Sequence, residues 1–380
     1  MQPSSIEHDA LGLYIHFPWC VKKCPYCDFN SHPIKQDTDQ EAYLAALLAD
    51  WREQYTLLGE RRLAQTPTAS FTSIFFGGGT PSLFKPDLLK QLMDGIPHER
   101  SEVTLEVNPG TAEYHSFKDY RFAGINRLSL GAQSFSDGQL AALGRVHKSR
   151  DTQTAFHQAR QAGFANINLD LMWALPGQNV EAALEDLRQA IELQPEHISW
   201  YQLTIEAKTE FAKRPPILPV DRTIQEIEEA GLALLADAGY RRYEISAFAK
   251  PTKECRHNLN YWSFGDYLGI GAGAHGKVST PEQIVRTTRP SQPRLYQLDS
   301  TTIEPVEVTR DQRVLEFMMN ALRLVDGVDF PIFNERTQLS WERVQTQWDS
   351  LVALDLVHKD KCAATPLGLR YLDSVLARLL

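Results

Sequence analysis

Val103-Thr-Leu-Glu-Val107, then Asn108-Pro109-Gly110, then Ala112 to Ala123 closed by Gly124, then Arg127-Leu-Ser-Leu-Gly131, reads as one strand–helix–strand unit. The first run is short and apolar and stops at a strong turn signal. The second has helical spacing and ends on a glycine suited to the residue just past a helix. The same grammar repeats on both sides. Leu11 to His16, Ser73 to Gly77, Ile167 to Met172, Ile198 to Ile205 and Tyr243 to Ala247 read as strands. Glu41 to Leu58, Pro86 to Met93, Asp151 to Ala162, Val180 to Leu193 and Thr223 to Ala238 read as helices. Such alternation predicts an α/β fold with a parallel sheet and helical crossovers. Six or seven units predict a partial or full (β/α) barrel of the TIM type, whose chemistry sits at the C-terminal ends of its strands.

The pattern breaks at Pro251. Residues 251–305 are rich in glycine and aromatics and read as an extension packed on a barrel spanning residues 1–250. From 306 to 380, helices at Asp311 to Leu322 and Trp341 to Leu351, a short hairpin near Leu356 to Ala363 and a last helix from Leu367 predict a small helical, winged-helix-like domain. Pro215 to Pro219 reads as a rigid loop.

With 39 basic and 48 acidic residues the chain carries a net charge of -9, so bulk charge predicts no nucleic-acid partner and no anionic-membrane partner. Met1 to Ala10 lacks the basic and apolar regions of a signal peptide, and no run suits a membrane span. A cytoplasmic protein is expected. Five cysteines form no paired framework, which predicts reduced thiols.

Three of those cysteines, Cys20, Cys24 and Cys27, are spaced C-x3-C-x2-C just after the first strand. Three thiolates can hold three irons of a [4Fe–4S] cluster and leave the fourth iron open. Zinc is the competing reading, with His16 or His32 completing a Cys3His set. Gly77-Gly78-Gly79-Thr80-Pro81 follows the second strand, either as a flexible turn or as backbone that a ligand approaches closely. Glu106, Gln133 and Asp170 are polar residues on successive strands whose faces should be apolar. Cys255-Arg256-His257-Asn258-Leu259-Asn260-Tyr261-Trp262 joins an imidazole to aromatic rings. A satisfied core cluster is the plain reading; an axial heme ligand with porphyrin-packing rings is the functional one. Gly269-Ile-Gly271-Ala-Gly273-Ala-His275 lacks the spacing of a dinucleotide loop and reads as tight backbone.

Together the cysteine motif, the Gly-Gly-Gly-Thr-Pro turn and the runs Leu105 to Pro109, Leu130 to Phe135, Asn168 to Leu171 and Leu175 to Gln178 resemble the radical S-adenosylmethionine (SAM) proteins. Over nearly the whole chain the resemblance is to the family of the oxygen-independent coproporphyrinogen III oxidase, and most to its heme-chaperone (HemW) branch. It implies a radical SAM partial barrel. Cys20, Cys24 and Cys27 would ligate the cluster, and SAM would chelate the open iron. Gly78, Gly79 and Thr80 would lie along the methionyl part, Tyr14 and Tyr26 would flank SAM, and Glu106 would bond it. Gln133, Arg145, Asp170 and, more weakly, Thr204 match positions of a SAM site in the oxidase. His-Asn-x-x-Tyr-Trp resembles the branch signature and implies heme binding at His257.

Two departures separate the chain from the oxidase. Phe29 stands where the oxidase has a fourth cysteine, and the arm before the first cysteine is shorter. The expectation is therefore a heme chaperone with a [4Fe–4S] cluster, SAM and heme. It would deliver heme to an acceptor protein of a respiratory or membrane-bound kind, from the cytoplasm or the periphery of the inner membrane, and associate as a homodimer. The competing expectation is the oxidase itself, decarboxylating two propionates through a deoxyadenosyl radical.

Overall fold

The structure, a computed structural model, describes residues 10–36, 38–59, 70–110 and 114–379. Residues 1–9, read above for a leader, lie outside the described residues, as do residues 111–113 at the start of the helix expected from Ala112.

Twelve strands among the described residues form one sheet. In chain order they are β1 Leu11–Phe17, β2 Ser73–Gly78, β3 Glu102–Val107, β4 Arg127–Gln133, β5 Ile167–Trp173 and β6 His197–Gln202, followed by β7 Arg241–Glu244, β8 Ala247–Ala249, β9 Asp266–Ile270, β10 His275–Ser279, β11 Ile284–Thr288 and β12 Val306–Glu307. Seven of them are parallel, in the order β9-β1-β2-β3-β4-β5-β6. Antiparallel strands extend both edges: β8 and β7 beyond β6, and β10, β11 and β12 beyond β9. The hydrogen-bonded order is linear from β12 to β7, so the barrel is partial.

The crossover helices form where the periodicity placed them. Pro86–Met93 opens on its proline, which needs no backbone N–H at that position. Gln40–Gln54 is capped by Asp39, whose carboxylate accepts from the N–H groups of Glu41 and Ala42 at 3.0 Å. Gly124 takes the left-handed conformation (φ +96°) expected just past a helix. Their apolar faces bury against strands whose own residues are almost wholly buried, β4 throughout.

Three expectations before residue 306 need correction. The strand expected over Tyr243 to Ala247 is two antiparallel strands, because Ile245 and Ser246 reverse the chain and the Arg242 guanidinium clamps the carbonyl of Ile245 at 2.6 Å. The helix expected over Ala112 to Ala123 is described only as Phe117–Phe122, since Ser116 starts it and the Tyr120 hydroxyl accepts the His115 N–H at 2.7 Å. Residues 251–305 form no separate layer on the sheet; they supply β9, β10 and β11 to it, and the helix Arg256–Trp262 before them. Their glycines hid the strands. Gly269 is required by close approach, because a Cβ there would lie 1.9 Å from the carbonyl oxygen of His275.

The C-terminal helices Arg310–Ala321, Phe330–Thr337, Gln345–Ala353 and Leu372–Leu379 enclose a second core around Phe317, Phe333, Trp341 and Trp348. The hairpin expected near Leu356 is reduced to isolated bridges, Val357 with Ala364 and Val328 with Cys362. No helix among the described residues is long and apolar enough to cross a membrane.

Candidate cofactor site

The cysteine loop leaves β1 and is held on two sides. On one side it meets the glycine turn after β2. The N–H of Gly79 donates to the Phe17 carbonyl and that of Thr80 to the Trp19 carbonyl, both at 2.7 Å. Glycine is needed at positions 78 and 79. A Cβ on Gly79 would lie 2.5 Å from the Trp19 carbonyl oxygen, and one on Gly78 would lie 2.6 Å from the His16 ring. The turn therefore serves the fit of protein to protein at least as much as an approaching ligand. On the other side the Asn30 amide donates to the carbonyls of Ala272 and Ser291, at 2.9 and 2.8 Å. The glycine run Gly269 to Gly273 is thus a buttress for the cysteine loop, as tight backbone should be.

The three thiols are free and line one cavity of about 480 Å³ at the C-terminal ends of the strands. No three Cys, His, Asp or Glu among the described residues converge on a single-ion site. His16 spends its ring nitrogens on the Asn30 carbonyl (2.8 Å) and the Tyr14 hydroxyl (3.0 Å), and His32 spends Nε2 on Asn30. For a Cys3His set His16 therefore has no ring nitrogen left, and His32 only Nδ1. Three thiols spread around a cavity wall suit a cluster many times the size of an ion. Burial raises the Cys20 thiol to about 11 and also raises Cys27. The Arg145 guanidinium donates to Cys24 Sγ at 3.7 Å.

Glu106, Gln133, Arg145, Asp170, Tyr26, Gly78, Gly79 and Thr80 border the same cavity. Glu106 accepts the Gly78 N–H at 3.1 Å. Burial, then the charge of Asp170, pushes the Glu106 carboxyl up to about 8, against the Gly78 N–H. Asp170 is also raised by burial, although Ser129 (2.9 Å) and Asn168 (2.8 Å) donate to it. Two buried carboxyls, one of them raised by the charge of the other, favour a cationic guest. Gln133 sits where β4 loses register with β5, in a left-handed conformation (φ +65°) rare for a side-chain-bearing residue. That conformation turns its amide to the Tyr201 hydroxyl, which donates to it at 2.6 Å.

Tyr14 and His257 do not line this cavity. The His257 ring stacks on Phe75 at 4.5 Å and faces Tyr14 at 6.1 Å, and burial lowers its pKa to about 4. Its helix instead turns Asn258 and Trp262 into the cysteine cavity. Thr204 is exposed and bonds Glu206 at 2.7 Å, away from the cavity wall.

Sequence reasoning missed Asn108. It donates to Thr80 Oγ1 and accepts from Arg145, both at 2.8 Å, and so ties the glycine turn to the guanidinium. Its signal was its place at the C-terminal end of β3, where it read only as a turn residue. Also missed was a buried relay: Asn258 to the Tyr243 hydroxyl (3.2 Å), Tyr243 to His197 (2.9 Å), His197 to Asn168 (2.6 Å), and Asn168 to Asp170.

Residues 14–190 match the radical SAM superfamily and residues 308–370 match the HemN C-terminal domain. The heme chaperone HemW of Haemophilus influenzae is 46% identical over 374 residues, covering 96% of this chain and 97% of that protein. The chain belongs to the HemW family. The Escherichia coli member is 44% identical over 379 residues, covering 98% of each protein, and that of Bacillus subtilis is 37% identical over 336 residues, covering 86% of each. The solved coproporphyrinogen III oxidase (HemN) of Escherichia coli shares the fold, with a TM-score of 0.79 at 21% identity over 98% of this chain and 92% of that one. The α/β barrel of this chain carries the three cysteines after the first strand.

Proposed function

We propose that this protein is a heme chaperone that binds heme together with a SAM-ligated [4Fe–4S] cluster and transfers the heme to an acceptor protein. One observation carries the reading: the helix of the His-Asn-x-x-Tyr-Trp signature sends Asn258 and Trp262 into the cavity that the three cysteines line. Phe29, 62% exposed at the position of the oxidase's fourth cysteine, supports a chaperone over a decarboxylase. The acceptor is a respiratory, membrane-bound protein reached from the cytoplasmic side, and the working form is a homodimer.

Cys20, Cys24 and Cys27 would hold the cluster, with the Arg145 guanidinium beside Cys24 Sγ. Glu106, Asp170 and Gln133 would hold SAM, the carboxyls through its ammonium, ribose or sulfonium, with Tyr26 against it. SAM on an open cluster iron supplies one-electron chemistry. His257, between Phe75 and Tyr14, would reach heme iron only after leaving that stack, so it is first a positioning residue for the helix that presents Trp262.

The deciding experiment is anaerobic. The cluster-reconstituted protein should bind heme stoichiometrically and pass it to membranes, and should leave coproporphyrinogen III unchanged when SAM and reductant are supplied. Conversion to protoporphyrinogen IX would overturn the reading in favour of the oxidase.

The Glu106 carboxyl adds a pH test. With its pKa raised to about 8, it is largely protonated at pH 7 in the empty cavity, and a cationic guest draws the pKa down and expels the proton. SAM affinity should therefore rise by up to about tenfold per pH unit from pH 6 towards pH 8, then level off. Calorimetry in two buffers of different ionisation enthalpy should register close to one proton released at pH 7. Glu106→Gln, which keeps the acceptor for Gly78, should abolish both. An unchanged pH slope in that variant would assign the proton elsewhere.

A further inference from the structure

The cysteine cavity has a second polar end, at the junction of the barrel with the C-terminal domain. Here Tyr243 and Glu244 of β7 pair with Leu324 and Val325, which follow the helix Arg310–Ala321; the Val325 N–H donates to the Tyr243 carbonyl at 3.0 Å. Glu244, Arg323 and Trp262 line the cavity at this junction. Each holds a buried polar atom without a hydrogen-bond partner: Glu244 Oε2, Arg323 Nε and Trp262 Nε1. Glu244 is only 3% exposed. Backbone N–H groups of Ile245 and Ser246 support its carboxylate, yet Oε2 stays open, and burial raises its pKa while Arg323 lowers it. The Arg323 guanidinium stacks over the Trp262 ring, 4.4 Å from its centroid, which fixes both groups.

Unmade hydrogen bonds of buried polar groups are costly, and three on residues that line one cavity call for an occupant. The occupant must accept from two N–H groups, Arg323 Nε and Trp262 Nε1. It must also meet Glu244 Oε2 through a shared proton. A carboxylate does all three: one oxygen takes the guanidinium, the other takes the indole N–H, and either shares the Glu244 proton. We infer that Glu244, Arg323 and Trp262 form a carboxylate subsite that receives a propionate of the bound tetrapyrrole. The inference rests on the heme-chaperone reading and deepens it, by fixing which end of the cavity takes the acidic edge of the macrocycle. It also gives the C-terminal domain a direct part in binding, through Arg323.

The test titrates cluster-reconstituted full-length protein with heme, with heme dimethyl ester in detergent, and with SAM. Wild type should prefer heme to its ester. Arg323→Gln should weaken heme about tenfold to a hundredfold, leave the ester unchanged and leave SAM unchanged. Trp262→Phe keeps a ring under the guanidinium but lacks the N–H, and should give a smaller loss with the same ester insensitivity. Circular dichroism and cluster absorbance check that both variants fold. Equal wild-type affinity for heme and ester, with heme bound, overturns the subsite alone. A loss of SAM affinity in Arg323→Gln with heme unchanged reassigns the subsite to the SAM carboxylate and also overturns it. Failure of wild type to bind heme overturns the chaperone reading and the subsite with it.

Discussion

Replacing any one of Cys20, Cys24 or Cys27 with serine should reduce the iron of the reconstituted protein from about four per chain to well under one, while the fold survives. The loss is near total because serine hydroxyls ionise far above neutral pH and bind iron weakly, and two thiolates cannot hold a cube that three secure. The fold survives because none of the thiols is a structural bond of consequence. Cys20 and Cys27 make only sulfur contacts of 3.8 Å, with the His32 carbonyl and Ser31. The loop is held instead by Asn30, by the Trp19 carbonyl and by the pairing of Trp19–Cys20 with His32–Pro33. Thermal unfolding of each cluster-free variant should therefore match that of cluster-free wild type to within about 1 kcal/mol. Because burial holds Cys20 near 11, its thiol is protonated at neutral pH in the cluster-free protein, and cluster assembly must displace that proton. Assembly should slow as pH falls. Iron and sulfide analysis with a stability measurement on the same samples separates these expectations; a variant that keeps its iron would show that the motif ligates nothing.

The strand–helix alternation was legible because both periods were clean. Pro86–Met93 appears with its expected ends, and the glycines after the helices take the conformation their positions demand. The cysteines were found from their short spacing, Glu106, Gln133 and Asp170 as polar residues on apolar strands, and Arg145 only through the family resemblance, and one cavity gathers them. What stayed hidden depends on three-dimensional closure. Nothing local signals that β9 returns beside β1, since Gly269 weakens the strand pattern and its reason is a contact with His275 across the hairpin. The direction of the Arg256–Trp262 helix was equally invisible: the motif named His257, yet the helix turns Asn258 and Trp262 to the cavity and His257 towards Phe75. Arg323 lies in the second domain, so its approach to Glu244 is a fact of packing.

Asp50→Ala should destabilise the protein by about 3–5 kcal/mol, the range for breaking a buried ion pair from one side. Asp50 is fully buried and pairs with Arg289, itself 2% exposed, across the interface between helix Gln40–Gln54 and the segment after β11. It also accepts from the Gln54 amide (2.8 Å), the Gly271 N–H (3.1 Å) and the Tyr296 hydroxyl (2.8 Å). Alanine leaves a guanidinium without its counter-charge, together with orphaned donors. Arg289 keeps the carbonyls of Ser300 and Thr302, so the double variant Asp50→Ala with Arg289→Met should recover part of the loss, and a double-mutant cycle in denaturant gives the coupling. The consequence reaches the cofactor site. Gly271 and Ala272 form the buttress of the cysteine loop: Asn30 donates to the Ala272 carbonyl, and the Tyr43 hydroxyl accepts the Ala272 N–H (2.9 Å) while donating to the His16 carbonyl (2.8 Å). With Asp50 gone the Gly271 N–H loses its partner and the buttress loosens. The variant should assemble a cluster but release iron to a chelator several-fold faster than wild type, at temperatures where both remain folded. Equal release rates beside a lowered stability would confine Asp50 to holding the fold and uncouple the interface from the loop.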